Sequence, residues 1–245
     1  MDQSVFKYPD TNSARANIEM LNRKFENQKI AIIGLGGTGS YILDLVAKTP
    51  VTEIHLYDDD WLLLHNAFRA PGAVDGKILD SVNGVKKIDY YFDLYSRLHT
   101  GIIKHDKRVT EANISELADF TFAFISVDSN AARSVITKGL MEIGVPFADV
   151  GLGVNKANDC LIATLRVTVG SAQKNDHLSY RIGNEEWDKN EYATNIQIAD
   201  LNCMNAVLAV IKWKKLLGFY QDLKAENNIL YLLNTNKLLN EDHTP

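Results

Sequence analysis

Gly34, Gly36, Gly37 and Gly39 fill four of six consecutive positions between the apolar run KIAIIG (29–34) and the apolar stretch that follows. Glycines at this spacing, leaving a strand and entering a helix, let the backbone come close to phosphate oxygens. The helix N-terminus adds unpaired N–H groups and a partial positive charge. The chemistry available to such a turn is to hold a nucleotide phosphate. Asp58 closes the next apolar run, VTEIHLYD (51–58), where a carboxylate can hold ribose hydroxyls. These residues alone leave the nucleotide open. GxGxxG in this setting serves dinucleotides more often than ATP, so an NAD-dependent oxidoreductase accounts for this much of the chain.

The elements that must position these residues follow from periodicity. A helix is expected from Ser13, with Ile18, Leu21 and Phe25 at helical spacing and Ser13 as its cap. A strand at 29–34 leads through the glycines into a helix reaching about Lys48, closed by Pro50. Strands are expected at 51–58, 101–109, 120–128, 145–154 and 160–170. Helices are expected over most of 78–98, interrupted at Gly84, and over 130–144 and 196–220. The polar stretch 171–195 reads as a long loop, a candidate lid, and 240–245 as a frayed tail. The alternation predicts an α/β fold: a Rossmann-like sheet, largely parallel with an antiparallel C-terminal part, and helices on both faces.

Further residues extend the set: Asp58 and Asp60 in YDDDW, then Asn66 and Arg69 in HNAFR, then Lys87 in GVKK, then Asp128 in FISVD with Arg133 five residues on. In this order they resemble the ThiF/MoeB and ubiquitin-activating-enzyme family, ATP-dependent activators of ubiquitin-like proteins. That family's signature runs GxGGxG, D-x-D, an Asn, an Arg three residues later, a Lys, and an Asp closing a later strand. The resemblance covers roughly residues 13–220. It implies one adenylation domain with a helical arm (1–28), a nucleotide-binding half (29–154), and a crossover loop with a C-terminal helix (155–245).

The function this resemblance implies is adenylation of a C-terminal carboxylate with release of pyrophosphate. Charge builds on the phosphates as the bond breaks, so catalysis is mainly positioning and cationic stabilisation. Arg69 and Lys87 are the cations for the phosphates, Asn66 a donor to phosphate or ribose, and Asp128 the Mg²⁺ carboxylate. The implied partner is a ubiquitin-like or sulfur-carrier protein ending in glycine. Members are usually homodimers in which an N-terminal arginine reaches the partner's ATP; Arg15 is the candidate finger and Arg23 the alternative. Some members transfer the adenylate to a cysteine and on to a separate E2-like carrier. Cys203 is the first candidate and Cys160 the second. A hydride-transfer enzyme has no task for Asn66, Arg69, Lys87 and Asp128. A non-catalytic partner subunit has no need to keep the cations and the metal carboxylate.

Composition agrees with this direction. The formal charge of −5 disfavours nucleic acid and a polybasic membrane anchor. Two distant cysteines make neither a disulfide framework nor a four-cysteine zinc site. The start MDQSVFKYPD lacks the basic and apolar regions of a signal peptide, so a reducing, cytoplasmic setting is expected.

Overall fold

The computed structural model describes residues 4–82, 84–182 and 196–244. The helices are α1 Thr11–Ala16, α2 Glu19–Asn22, α3 Gly37–Val46, α4 Leu64–Ala67, α5 Gly76–Leu79, α6 Lys87–Tyr95, α7 Asn130–Glu142, α8 Leu178–Arg181 and α9 Ala199–Leu216. The strands are β1 Lys29–Ile33, β2 Glu53–Tyr57, β3 Ile102–His105, β4 Phe122–Ile125, β5 Phe147–Ala157, β6 Cys160–Gly170, β7 Asn228–Leu232 and β8 Lys237–Glu241. They form one eight-stranded sheet in the order β3-β2-β1-β4-β5-β6-β7-β8. The first five strands are parallel; β6, β7 and β8 run antiparallel.

Alternation along the strands sends side chains to two cores. Ile30, Ile32, Ile54, Leu56, Phe122 and Phe124 face α3, α6 and α9, whereas Ala31, Ile33, Ala123, Ile125 and Phe147 face α7 and the turn at Ile114–Leu117. Trp213 of α9 is fully buried, with ring centroids 5.2 Å from Phe25 and 5.9 Å from Phe124. It anchors α9 across the sheet, and truncating such a side chain to alanine costs about 3–5 kcal/mol.

The strand order reverses between β1 and β4. Open α/β sheets bind their ligands at that point, outside the carboxyl ends of the strands. The glycine turn leaves β1 there and Asp128 follows β4 there.

Several expectations are corrected. The N-terminal helix is broken at Asn17, which takes φ 54 and ends α1. Asp10, not Ser13, is the cap, its Oδ1 accepting the Ser13 N–H at 3.0 Å. The interruption expected at Gly84, which has φ 66, is wider than that residue: α5 ends at Leu79 and α6 begins at Lys87. The strand expected at 101–109 stops at His105. The tail is not frayed at 240: Asn240 and Glu241 lie in β8, and the Thr244 N–H donates to Ala225 O at 2.9 Å. The hairpin of β7 and β8 was not foreseen. Within the expected loop 171–195, residues 171–182 are tied to the sheet by buried His177, which bonds Val169 O at 2.9 Å, and residues 183–195 lie outside the described residues.

Candidate functional site

The glycine turn divides its labour. Gly34 has φ +90, and its N–H donates to Tyr57 O at 2.8 Å. A Cβ on Gly39 would lie 1.9 Å from Gly34 O, and one on Gly37 would lie 2.1 Å from Asn202 Nδ2. These three glycines pack the turn against itself, β4 and α9. A Cβ on Gly36 would meet nothing within 4 Å, because this residue faces the cavity. Gly36 is therefore the position that leaves room for a ligand, at the N-cap of the ten-residue helix α3.

The acidic loop after β2 is built around Asp58. Its buried carboxylate accepts the Leu35 N–H at 2.6 Å and the Asp60 N–H at 2.9 Å, tying the loop to the glycine turn. Lys87, buried at the first turn of α6, donates to Asp60 Oδ2 at 2.8 Å and lies 3.9 Å from Asp58 Oδ1. Burial pushes the Asp58 carboxyl up, against the pull of Lys87, while the Lys87 hydrogen bond holds Asp60 below the usual carboxylate range. The neighbouring Lys86 turns away, bonding Asp59 O at 2.5 Å and Asp106 at 3.3 Å. Lys87 lines the cavity and Lys86 does not.

Arg69 follows α4. Its Nε is buried without a hydrogen-bond partner among the described residues. Burial pushes the guanidinium down, and the charge of Asp128 opposes the shift. Asp128 stands exposed beyond β4 in the same cavity. Asn66 is placed differently. It is buried behind the cavity wall, its Oδ1 accepting the Leu63 N–H at 2.8 Å and its carbonyl the Arg69 N–H at 3.1 Å. In this arrangement it shapes the turn that presents Arg69.

All these elements border one cavity of about 1200 Å³. Its far part runs along β5, with Gly151, Leu152 and Gly153, to Arg166 of β6 and Gln197 and Asn205 at α9. There Asp149, wholly buried, receives Arg133 Nε at 2.8 Å and Arg166 Nη2 at 2.6 Å. Sequence reasoning missed Arg166, Asp149 and Asn205. Missed as well was Arg108, which pairs with Asp59 at 2.7 Å on the cavity rim. Arg108 lay near the end of an expected strand, and Arg166 interrupted an apolar alternation, a weak signal that it faces something polar.

The remaining candidates lie elsewhere. Arg15 is exposed on α1 and is not part of this cavity's wall. Cys203, half-buried on α9, also lies off the cavity, and burial together with Asp44 and Asp200 pushes its thiol up. That combination counts against a ready nucleophile. Cys160 is exposed at the β5–β6 turn, beside Lys156 and Asp159.

Among the described residues, no helix is long and apolar enough to cross a membrane. No curated protein sequence matches the chain. Among solved structures it is similar to Escherichia coli MccB in complex with MccA-N7isoAsn, at TM-score 0.73 and 16% identity, covering 98% of this chain and 74% of that one. MccB with ATP gives TM-score 0.68 at 18% identity, over 98% and 74%. PaaA gives 0.68 at 16%, over 100% and 77%. At such identities these likenesses establish the fold, with its mixed sheet and flanking helices. The family follows from the sequence itself: residues 12–240 match the ThiF family, and the chain belongs to it.

Proposed function

We propose that this protein uses ATP to adenylate a carboxylate at the end of a protein or peptide chain, releasing pyrophosphate. A carboxylate oxygen attacks the α-phosphorus, the bond from that phosphorus to the bridging oxygen breaks, and pyrophosphate carries the electron pair away. The observation that carries this reading is the buried, unpartnered Nε of Arg69, bordering the same cavity as the open side of Gly36 and the Asp128 carboxylate. A buried donor without a partner costs about 1–3 kcal/mol, which a phosphate oxygen would recover. Arg69 and Lys87 stabilise the charge that grows on the phosphates, Lys87 leaving Asp60 to do so. Asp58 and Asp60 face the ribose, and Asn66 holds the Arg69 turn.

Mg²⁺ is ordinarily held by one or two carboxylates together with substrate phosphates, so Asp128 fits it and the ion would neutralise phosphate charge there. The partner expected from the family resemblance is a ubiquitin-like or sulfur-carrier protein ending in glycine. The structure of MccB in complex with MccA supports a second chain as the partner. A homodimer would let Arg15 reach the partner subunit's phosphates. The product is the acyl adenylate; Cys203, the first candidate for a further thioester, lies off the cavity.

Calorimetric titration with ATP–Mg²⁺ and, separately, with NAD tests the nucleotide. ATP is expected to bind, and to lose at least tenfold in affinity in Arg69→Ala. Binding of NAD in place of ATP would overturn the reading.

A further inference from the structure

β5 outlasts its parallel neighbour. Phe147, Ala148 and Asp149 pair with Ala123, Phe124 and Ile125, and there β4 ends. From Val150 to Ala157, β5 keeps β6 on one side. On the other side it has no strand among the described residues, and this free edge borders the cavity from Val150 to Asn155. An extended chain entering the cavity meets a strand edge with no strand paired to it among the described residues, where Arg133 reaches Val150 O and Asn205 reaches Gly151 O.

Asn205 stands over that edge. It is wholly buried, and its Nδ2 donates to Gly151 O at 3.0 Å. Its Oδ1 is buried and has no hydrogen-bond partner among the described residues. Buried amide oxygens are rarely left so, and an acceptor bordering a cavity is a place for a ligand's N–H. Opposite Gly151, Arg166 lays its guanidinium where a Cβ would come within 3.0 Å of its Nη2. Two arginines share the single carboxylate of Asp149, leaving one positive charge in excess. That excess favours a chain that ends in a carboxylate.

The spacing to the glycine turn sets which N–H is read. One turn earlier on α9, Asn202 accepts from Thr38 Oγ1 at 3.2 Å and packs on Gly37. Three helical residues advance about 4.5 Å along the axis, and an extended chain advances about 3.3 Å per residue. With a carboxylate at the turn, its own residue's N lies about 2.5 Å behind the carboxyl carbon, so that N–H is the first to come within hydrogen-bond reach of Asn205.

We propose that Asn205 is a specificity-determining residue whose Oδ1 accepts the N–H of the substrate's terminal residue. The site then takes acyl groups joined to the rest of the chain by a peptide bond, in preference to simple carboxylic acids or ester-linked ends. This inference rests on the adenylation reading.

The test uses two stable mimics of the acyl adenylate, N-acetylglycyl-sulfamoyl adenosine and its O-acetylglycolyl counterpart. They differ only in an N–H replaced by an ester oxygen. Titration calorimetry on the whole protein reads both. The wild type should bind the amide at least tenfold more tightly than the ester, and Asn205→Ala should bring that ratio below threefold. A general loss of fold would weaken both mimics together and leave their ratio unchanged. Equal affinities in the wild type, or a ratio unmoved in an Asn205→Ala protein that melts as the wild type does, would overturn the proposal. If Asn205→Ala does not fold, the wild-type ratio still decides. Absence of binding by sulfamoyl adenosine itself would bring down the adenylation reading, and this one with it. Binding of that nucleoside with a ratio of one would remove only this inference.

Discussion

The two ends of the cavity are built on different principles. At the glycine turn, acids and cations crowd together: Asp58, Asp60 and Asp128 with Arg69, Lys87 and Arg108. Along β5 the described lining carries no carboxylate, and its polar groups include the backbone edge, amides and the two arginines that share buried Asp149. The first end suits a multiply charged phosphate and a divalent cation, the second an extended chain with one terminal charge. Charged pairs near 3 Å can exchange partners as a ligand arrives. A strand edge can only be covered or left open.

The largest effect expected from breaking this contrast is on stability, at the β5 end. Asp149→Ala leaves Arg133 and Arg166 without their shared carboxylate in a buried setting. Loss of one member of such a pair costs about 3–5 kcal/mol. Chemical denaturation should show an unfolding free energy lower by that amount. At the phosphate end the expected losses fall on rate. Arg69→Ala should lower turnover about 10²–10³-fold, in the range seen when a preorganised charge-stabilising donor is removed, with a melting temperature close to wild type.

The two kinds of glycine sharpen the contrast within the turn. Gly36→Ala meets no atom and should fold, yet lose about tenfold in ATP affinity as its methyl group fills the phosphate side, a loss of about 1.4 kcal/mol. Gly39→Ala drives a Cβ to 1.9 Å from Gly34 O and should fail to accumulate as folded protein. Thermal melts with ATP titration of both variants separate ligand space from packing.

Arg15 is tested by mixing. Equal amounts of Arg15→Ala and Lys87→Ala protein, each inactive alone, should recover about a quarter of wild-type activity if a twofold dimer shares the arginine across subunits. No recovery on mixing would assign Arg15 to its own surface.

The smallest effect is expected at Cys203. Burial raises its thiol, so the reactive thiolate is scarce at neutral pH and alkylation should quicken as pH rises toward the raised value. Mass spectrometry should find exposed Cys160 modified before Cys203, and Cys203→Ser should keep at least half of the adenylation rate.

What was legible in the sequence follows the same division. Gly34 to Gly39, Asp58, Asp60, Arg69, Lys87 and Asp128 announce themselves by type and by order along the chain, because phosphate chemistry needs charges and close backbone. The structure gathers them on one cavity, except Gly39, which packs the turn, and sets Asn66 behind the wall. The parallel half of the sheet was legible too, from apolar runs alternating with helical periods. The β5 end was not. Asn205 sits among small and apolar residues of α9, and its role depends on where β4 stops. The β7–β8 hairpin, YLLNTNKLLN, carries too few β-branched residues to declare itself as strand.

The claim that the cavity breaks ATP between its α- and β-phosphates is tested most directly with ATP labelled at the α-phosphate. The protein is incubated with Mg²⁺ and candidate ubiquitin-like proteins or peptides ending in glycine, and the products are separated. The account predicts carboxylate-dependent label in acyl adenylate and AMP, exchange of pyrophosphate back into ATP, and loss of both in Asp128→Ala. Label appearing in ADP, or pyrophosphate exchange unchanged in Asp128→Ala and Arg69→Ala together, would contradict it.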